Sequence, residues 1–259
     1  MRRAVFELPI LAGAAVLLWV TPALAQAVPA GLAESRGDSL MQAFATAAAV
    51  DAYRSGLAGA PADPTLLWKS SRALLNLADE RPGEDGDEES YREAVELARR
   101  AVEEAPDLAR AHATLAAALG KLALFQGGKR KVELAREVQS EAELAVQLDA
   151  SDFAAYVVLG ILNRELATLN PFLKAFARTF FGRLPEASVE NSAAYLERAV
   201  ALAPDYVTPH VELALTYLEQ DRDADAREEL LRAIALPPRE QADRLRQREA
   251  RELLEEIED

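Results

Sequence analysis

The sequence contains no cysteine, only 12 glycines among 259 residues, and 6% aromatic residues, and these shortages exclude several kinds of protein. Without cysteine there are no disulfides, no thiolate metal sites and no lipid-modified cysteine at the N terminus. Alanine and leucine dominate the apolar half of the chain, and β-branched residues are sparse. Such a composition loses little side-chain entropy in helices and suits strands poorly. The sequence therefore predicts an all-α fold stabilised by packing alone.

Patterns that carry catalytic chemistry are also missing. The chain has no glycine-rich phosphate loop, nucleophile elbow or Ser-x-x-Lys sequence. Its two histidines, His112 and His210, lack metal-ligand spacing and are predicted to be packing residues. The acidic run over 84–89 lacks the alternating ligands of a calcium loop and is predicted to be a solvated loop. We therefore expect a protein that is not an enzyme and has no catalytic residues, metal or cofactor.

Acidic residues outnumber basic ones by 43 to 29, which gives a formal net charge of −14. An acidic surface repels phosphate backbones, so nucleic acid is not expected to be a partner.

The N terminus has the order of a secretory signal peptide. Two arginines follow the first methionine, then come the uncharged run Leu8–Thr21 and the small-residue pattern Ala23-Leu24-Ala25. The run is shorter than the roughly 20 residues that a spanning helix needs. Residues 1–25 are therefore predicted to be a signal peptide cleaved after Ala25, with Ala27 the next choice. Export to the periplasm of a Gram-negative bacterium is expected; secretion or a retained N-terminal anchor remains open.

Residues 26–63 are predicted to hold a disordered lead-in, one helix from Asp38 to Ser55, and a linker. From Pro64 onward, a helix end followed by a turn recurs four times, over 101–106, 145–150, 199–204 and 233–238. The last two copies end 34 residues apart, at Pro204 and Pro238, and the earlier gaps are longer. Four units are predicted, over 64–106, 107–150, 151–204 and 205–238, with a capping helix over 239–259.

A period of 34 residues is that of the tetratricopeptide repeat, which these units resemble. The fourth unit has the expected large, small, aromatic and proline positions: Leu213, Ala214, Tyr217, Ala226, Leu230, Ala233 and Pro238. The matches in the other units are Tyr156, Gly160, Ala199 and Pro204 in the third, His112 in the second, and Trp68, Ala101 and Pro106 in the first. In the first unit Arg72 occupies the position where a small residue is expected. The resemblance implies a superhelix of helix pairs with a concave inner surface.

Two insertions interrupt this pattern. The stretch over 170–185 contains half of the eight phenylalanines, Phe172, Phe176, Phe180 and Phe181, together with Lys174, Arg178 and Arg183. If Pro171 begins a helix, three of the rings form one stripe and the basic residues lie elsewhere. The other insertion places Lys129 and Lys131 at a helix boundary. The rings either fill the gap that the insertion opens, or form a lid or membrane-touching element.

The insertions make the resemblance more specific. Taken with Leu67-Trp68, Leu159-Gly160 and the Gly127-x-Lys129-x-Lys131 sequence, they resemble the regulator of microtubule dynamics family over Pro64 to Ile257. That resemblance implies a tetratricopeptide domain used for protein contacts at membranes and, in one mitochondrial tether, for holding or moving phospholipid.

Two functions follow as hypotheses. The first is a periplasmic adaptor whose groove binds an extended peptide or a helix of a protein partner. The second is a lipid-binding module in which the four phenylalanines line an apolar cleft. In that case Lys129, Lys131, Lys174 and Arg178 would contact a phosphate head group. The oligomeric state and the identity of the partner are not predicted.

Overall fold

The computed structural model describes residues 28–80 and 87–258, and every regular element in those two ranges is an α-helix. The helices are α1 (Ala30–Gln42), α2 (Thr46–Gly59), α3 (Pro64–Asp79), α4 (Asp87–Glu104), α5 (Ala109–Ala123), α6 (Gly128–Leu148), α7 (Phe153–Thr168), α8 (Pro171–Phe180), α9 (Val189–Leu202), α10 (Val207–Leu218), α11 (Asp223–Ala235) and α12 (Gln241–Glu258). The predicted all-α fold is confirmed. The predicted signal peptide and residues 84–86 of the acidic run lie outside the described residues. The rest of that run, residues 87–89, begins α4, so the prediction of a loop is wrong there.

The helices pack as successive pairs that stack along the chain. The pairs are α1 with α2, α3 with α4, α5 with α6, α7 with α9, and α10 with α11. In the chain, α8 lies between α7 and α9, and in the fold it contacts α6. Helix α12 packs on α10 and α11. The first helices of neighbouring pairs also contact one another, which is the arrangement of a helical repeat superhelix.

Local sequence signals explain where several helices begin. The Asp63 carboxylate accepts hydrogen bonds from two backbone N–H groups of the first turn of α3, and Pro64 follows at the first helical position. Asp152 caps α7 and Asn170 caps α8 in the same way. The four recurring turn segments follow the ends of α4, α6, α9 and α11, the second helices of their pairs.

Small residues bring the two helices of a pair close together. Ala101, Ala199, Ala214, Ala226 and Ala233 are all fully buried. The closest approach is at Gly160 of α7, where an added Cβ would lie 2.4 Å from Cγ of Leu196 on α9. The hydroxyl group of Ser192 donates a hydrogen bond of 2.8 Å to the Gly160 carbonyl oxygen at the same contact. Only glycine fits there without displacing α9.

Replacing Gly160 by alanine should therefore lower the free energy of unfolding by about 1–3 kcal/mol, because the added methyl group overpacks the helix interface. Gly120 of α5 is the matched control, since no atom lies within 4 Å of an added Cβ there. Gly120→Ala should instead raise stability by up to about 1 kcal/mol through helix propensity. Chemical denaturation of both variants measures this. Equal effects at the two sites would contradict the close packing at Gly160.

The N-terminal region differs from the prediction of one helix over 38–55. The chain forms two helices instead, and Phe44 between them has a left-handed φ of 59°. The first helix already begins at Ala30, inside the stretch expected to be disordered. Its Gly37 lies directly against the Tyr53 ring of α2. The burial of Tyr53 and Met41 stabilises this pair, whose turn contains no glycine or proline to mark it in the sequence.

The register of the first repeat also differs by one residue. Leu67 is fully buried, and Ser71 donates a hydrogen bond to the carbonyl oxygen of Ala94 on the paired helix. These two residues occupy the buried large and small positions that the sequence assigned to Trp68 and Arg72. The difference is physically reasonable, because a serine fits a close helix contact and an arginine does not. Trp68 consequently lies on the concave side.

Candidate binding groove and side cavity

The concave side of the superhelix forms a groove of about 1270 Å³. Its walls are the inner faces of α1, α3, α5 and α7, and the segment 238–249 closes it from the C-terminal side. Six aromatic side chains line it: Phe44, Trp68, Tyr91, Phe125, Phe153 and Tyr206. Six basic residues line it too: Lys69, Arg72, Arg110, Lys121, Arg239 and Arg246. Five acidic residues of the same lining offset most of their charge: Asp38, Asp79, Glu240, Asp243 and Glu249. The groove therefore gathers aromatic rings, which are scarce in this chain, together with charges of both signs.

Several of the basic groups stack on the rings. The guanidinium group of Arg239 lies 4.2 Å from the centre of the Tyr206 ring, and that of Arg110 lies 5.6 Å from the Phe153 ring. Both Lys69 and Arg72 lie within 6 Å of Trp68, at 5.6 and 5.8 Å. Such contacts fix the orientation of the rings. Each of these four cations also forms an ion pair with a carboxylate of the chain.

The beginning of α12 crosses this groove, in addition to packing on the end of the superhelix. The Glu240 carboxylate accepts a hydrogen bond of 2.7 Å from the Asn76 side chain and forms an ion pair of 3.2 Å with Arg72. The Arg244 guanidinium lies 3.7 Å from the centre of the Phe44 ring. The C-terminal helix thus contacts α3 and the α1–α2 turn, far from it in sequence. Part of the groove is already filled by the chain itself.

A buried charge network connects the groove with a second cavity. Glu212 is fully buried on α10 between two arginines, and its carboxylate oxygens lie 2.7 Å from Nη2 of Arg164 and 2.8 Å from Nη2 of Arg246. Burial alone would raise the pKa of Glu212, but the two guanidinium groups lower it below its ordinary value. The sequence analysis missed this network, although a glutamate between Val211 and Leu213 is a visible signal.

The two histidines occupy equivalent structural positions and do more than pack. The Nδ1 atom of His210 lies 2.6 Å from the Glu229 carboxylate, and its Nε2 atom lies 2.9 Å from the Pro204 carbonyl oxygen. His112 has the same pair of contacts, with Glu141 and Pro106. Each histidine thereby ties the turn before its helix to the second helix of the pair.

The contacts of His210 predict a pH-dependent contribution to stability. Burial alone would lower the pKa of His210, but the hydrogen bonds to Glu229 and Pro204 raise it above its ordinary value. Because the pKa is higher in the folded state, the protonated form of His210 stabilises the fold. This contribution is fully present below the unfolded pKa of about 6.5 and is lost as the pH rises through the folded pKa. Wild type should exceed His210→Leu in stability by more at about pH 5.5 than at about pH 9. Thermal unfolding at both pH values tests this, and a constant difference would contradict a charged His210.

The side cavity, of about 920 Å³, lies between α5, α6, α7 and α8. Its lining is mainly aliphatic and includes Val132, Ala135, Val138 and Leu166. Arg164, Glu212 and Arg246 form its polar end, where it adjoins the groove. The volume is in the upper part of the range for pockets that bind small molecules.

Helix α8 forms as the sequence predicted, beginning at Pro171, but none of its residues is buried. Of its aromatic stripe, only Phe176 lines the side cavity, joined by Leu173 and by Phe181 just after the helix. Phe172 and Phe180 are outside the cavity lining and are 76% and 66% exposed. The lipid hypothesis assumed that all four phenylalanines line one cleft, and this is wrong because only Phe176 and Phe181 line the cavity. The four rings do not all fill a gap in the core either.

The basic residues of the two insertions also lie in different environments. Lys131 lines the side cavity, whereas Lys129 is exposed and lies 3.5 Å from Glu133. Lys174 donates a hydrogen bond to the carbonyl oxygen of Ala167 at the end of α7. Arg178 is exposed at the last turn of α8. These side chains do not converge on one head-group site.

Two negative observations hold for the described ranges. Within residues 28–80 and 87–258, no helix has the length and apolar character needed to cross a membrane. In the same part of the chain, no three histidine, aspartate or glutamate side chains come together as metal ligands.

The paired helices, the small residues between them and the concave groove define a tetratricopeptide-like helical repeat protein. The fold is similar to the crystal structure of a thermophilic TPR protein of Thermus thermophilus, with a TM-score of 0.63 and 19% identity over 85% of this chain and 98% of that one.

The family follows from the sequence comparison. A family model described as regulator of microtubule dynamics protein 1-3 matches residues 35–258, and the chain belongs to this family. It is 27% identical over 194 residues to regulator of microtubule dynamics protein 1 of Pongo abelii, covering 74% of this chain and 62% of that protein. It is 26% identical over 189 residues to regulator of microtubule dynamics protein 1 of Homo sapiens, covering 72% of this chain and 60% of that protein. The chain thus spans about three fifths of the length of these relatives. The predicted resemblance is confirmed.

Proposed function

We propose that the protein is a non-catalytic scaffold whose groove binds a peptide or helix of a partner protein. The observation that supports this is the gathering of six aromatic residues along one concave surface, which also carries six basic and five acidic residues. Tryptophan, tyrosine and arginine are the residues that contribute most to protein binding when they lie in a shielded pocket. Helical repeat proteins use such concave surfaces for extended contacts.

The contact between Glu240 and α3 indicates the chemistry of the partner. Asn76 and Arg72 hold one carboxylate of the chain itself, so an acidic side chain of a partner segment would find the same donors. Trp68 beside them offers an apolar surface. The proposed ligand is therefore a segment that carries both acidic and apolar side chains. It would have to displace the beginning of α12.

Site-specific cross-linking tests this proposal. A photoreactive amino acid placed at Trp68 in the full chain should trap one partner protein in cells. The matched position is Glu103, which is exposed on α4, the second helix of its pair. Trapping of the same proteins from both positions, or from Glu103 alone, would contradict binding in the groove.

The cell envelope is part of this proposal and rests on the sequence pattern of residues 1–25. Export would place the groove in the periplasm of a Gram-negative bacterium, where adaptors of this kind would meet envelope proteins. N-terminal sequencing of the cellular protein tests it. A chain that begins at Gln26 would support export, and a chain that retains Met1 in the cytosolic fraction would contradict it.

A second candidate function, phospholipid binding, is supported by the side cavity. An aliphatic lining of this size suits an acyl chain better than a peptide. The charges at the polar end of the cavity, Arg164, Glu212 and Arg246, already balance one another in part. The head group would therefore lie near Lys131, which also lines the cavity.

Native mass spectrometry of protein purified without detergent distinguishes the two functions. If lipid fills the side cavity, a bound phospholipid should disappear in Ala135→Trp, which fills the cavity from α6. It should remain in Phe180→Ser, whose side chain lies outside the cavity lining. Circular dichroism controls for folding. If the wild-type protein carries no bound phospholipid, the lipid-binding function is contradicted and only the peptide-binding function remains.

A further inference from the structure

Helix α8 leaves a large apolar surface uncovered. Three of its side chains, Phe172, Leu173 and Phe180, are 76%, 55% and 66% exposed. Phe176 adds a fourth apolar side chain, 44% exposed, whose ring centre lies 4.6 Å from that of Phe180. Rings spaced four residues apart share one face of a helix. Contiguous apolar surface of this kind marks a site of protein or membrane contact.

The basic end of α6 lies beside this apolar face. The Phe181 ring packs against Gly128, where an added Cβ would be 3.3 Å from the ring. The Arg136 guanidinium donates a hydrogen bond of 2.8 Å to the carbonyl oxygen of Arg183. These two contacts hold the segment after α8 on α6. The start of α6, which carries Lys129 and Arg130, therefore lies beside the C-terminal end of α8.

The charge of this surface is opposite to that of the chain. Residues 127–136 and 170–186 together contain seven basic and two acidic residues, whereas the whole chain has a net charge of −14. Lys129, Arg130 and Arg183 are 72%, 51% and 77% exposed. An anionic surface would be attracted here and repelled by most of the remaining protein.

We propose that α8 and the start of α6 form a docking face for an anionic lipid bilayer, with Phe172 and Phe180 inserted at the interface and Lys129 and Arg130 near the head groups. An exposed helix with apolar and basic faces lies in the plane of a membrane interface in this way. Phenylalanine and leucine are typical of the apolar face of such a helix. The proposal uses side chains outside the lining of the side cavity, so it is independent of lipid binding there. It goes beyond peptide binding in the groove.

Vesicle co-sedimentation of the full chain tests this. The protein should bind vesicles that contain phosphatidylglycerol, and binding should weaken with salt and be much lower on pure phosphatidylcholine. Phe172→Ser/Phe180→Ser should lower the partition coefficient at least about tenfold, because two rings lose their apolar insertion. Lys129→Gln/Arg130→Gln should lower it about fivefold or more. Circular dichroism should show an intact fold, since all four side chains are exposed.

The matched control is Leu231→Ser on α11, an apolar residue that is 41% exposed and lies outside α8. It should bind vesicles like wild type. Equal binding to both lipid compositions would overturn the proposal, as would the absence of binding. Unchanged binding of the double phenylalanine variant would also overturn it. In that case the apolar run Leu8–Thr21 or another surface would carry the contact.

Discussion

Replacing Glu212 by alanine is expected to lower the free energy of unfolding by about 3–5 kcal/mol, because it leaves buried arginine charge without its counter-ion. Arg164 is 10% exposed and loses the carboxylate that lies 2.7 Å from its Nη2 atom. Arg246 loses a partner at 2.8 Å. These contacts join α7, α10 and α12, so the loss affects three helices at once. Urea denaturation of wild type and variant measures the effect.

The exposed residue Glu228 on α11 is the matched control, since its ion pair with Arg232 is accessible to water. Glu228→Ala should change the free energy of unfolding by less than about 1 kcal/mol. A similarly small effect of Glu212→Ala would contradict the network, and would mean that Arg164 and Arg246 reach water when Glu212 is absent.

The same carboxylate should also contribute to the acid limb of the stability curve. The pKa of Glu212 is lowered in the folded state, so its contribution is present above the unfolded value of about 4.5 and is lost as the pH falls through the lower folded value. Wild type should therefore lose more stability on acidification than Glu212→Gln does.

Replacing Trp68 by alanine is expected to weaken binding of the cross-linked partner by about 30-fold or more, equivalent to about 2 kcal/mol. The ring lines the groove beside Lys69 and Arg72, and its removal takes away both apolar area and the surface on which these cations stack. Calorimetric titration of the purified partner measures the affinity.

Phe172→Ala provides the control for this prediction, because Phe172 is an exposed ring outside the groove. The Phe172→Ala variant should bind the partner with the same affinity as wild type. If Phe172→Ala weakens binding and Trp68→Ala does not, the partner binds on α8 and the groove is not the interface.

The helix pairs were predictable because their signals are local. Ala101, Ala199 and Ala233 mark helix contacts, and Asp63 with Pro64 marks the start of a helix. The break at Phe44 was not predictable, since a left-handed phenylalanine has no signature in sequence. Nor was the shift that puts Ser71 instead of Arg72 against α4, which depends on one helix rotating by a single position.

The binding surfaces depend on contacts between distant segments, and sequence spacing does not encode these. Glu240 meets Asn76 across the groove, 164 residues apart in the chain. Arg164 and Glu212 are 48 residues apart. The aromatic insertion was recognisable as a separate basic and apolar helix, but its division into cavity-facing Phe176 and outward-facing Phe172 depends on how α8 rests on α6.

The most direct test of binding in the groove is hydrogen–deuterium exchange with and without the cross-linked partner. The proposal predicts slower exchange on α3, α5 and α7, whose inner faces line the groove. It also predicts faster exchange at the beginning of α12, where the partner displaces Glu240 from Asn76 and Arg72. Slower exchange confined to α4, α6 and α9, with α12 unchanged, would place the partner on the convex side and contradict the proposal.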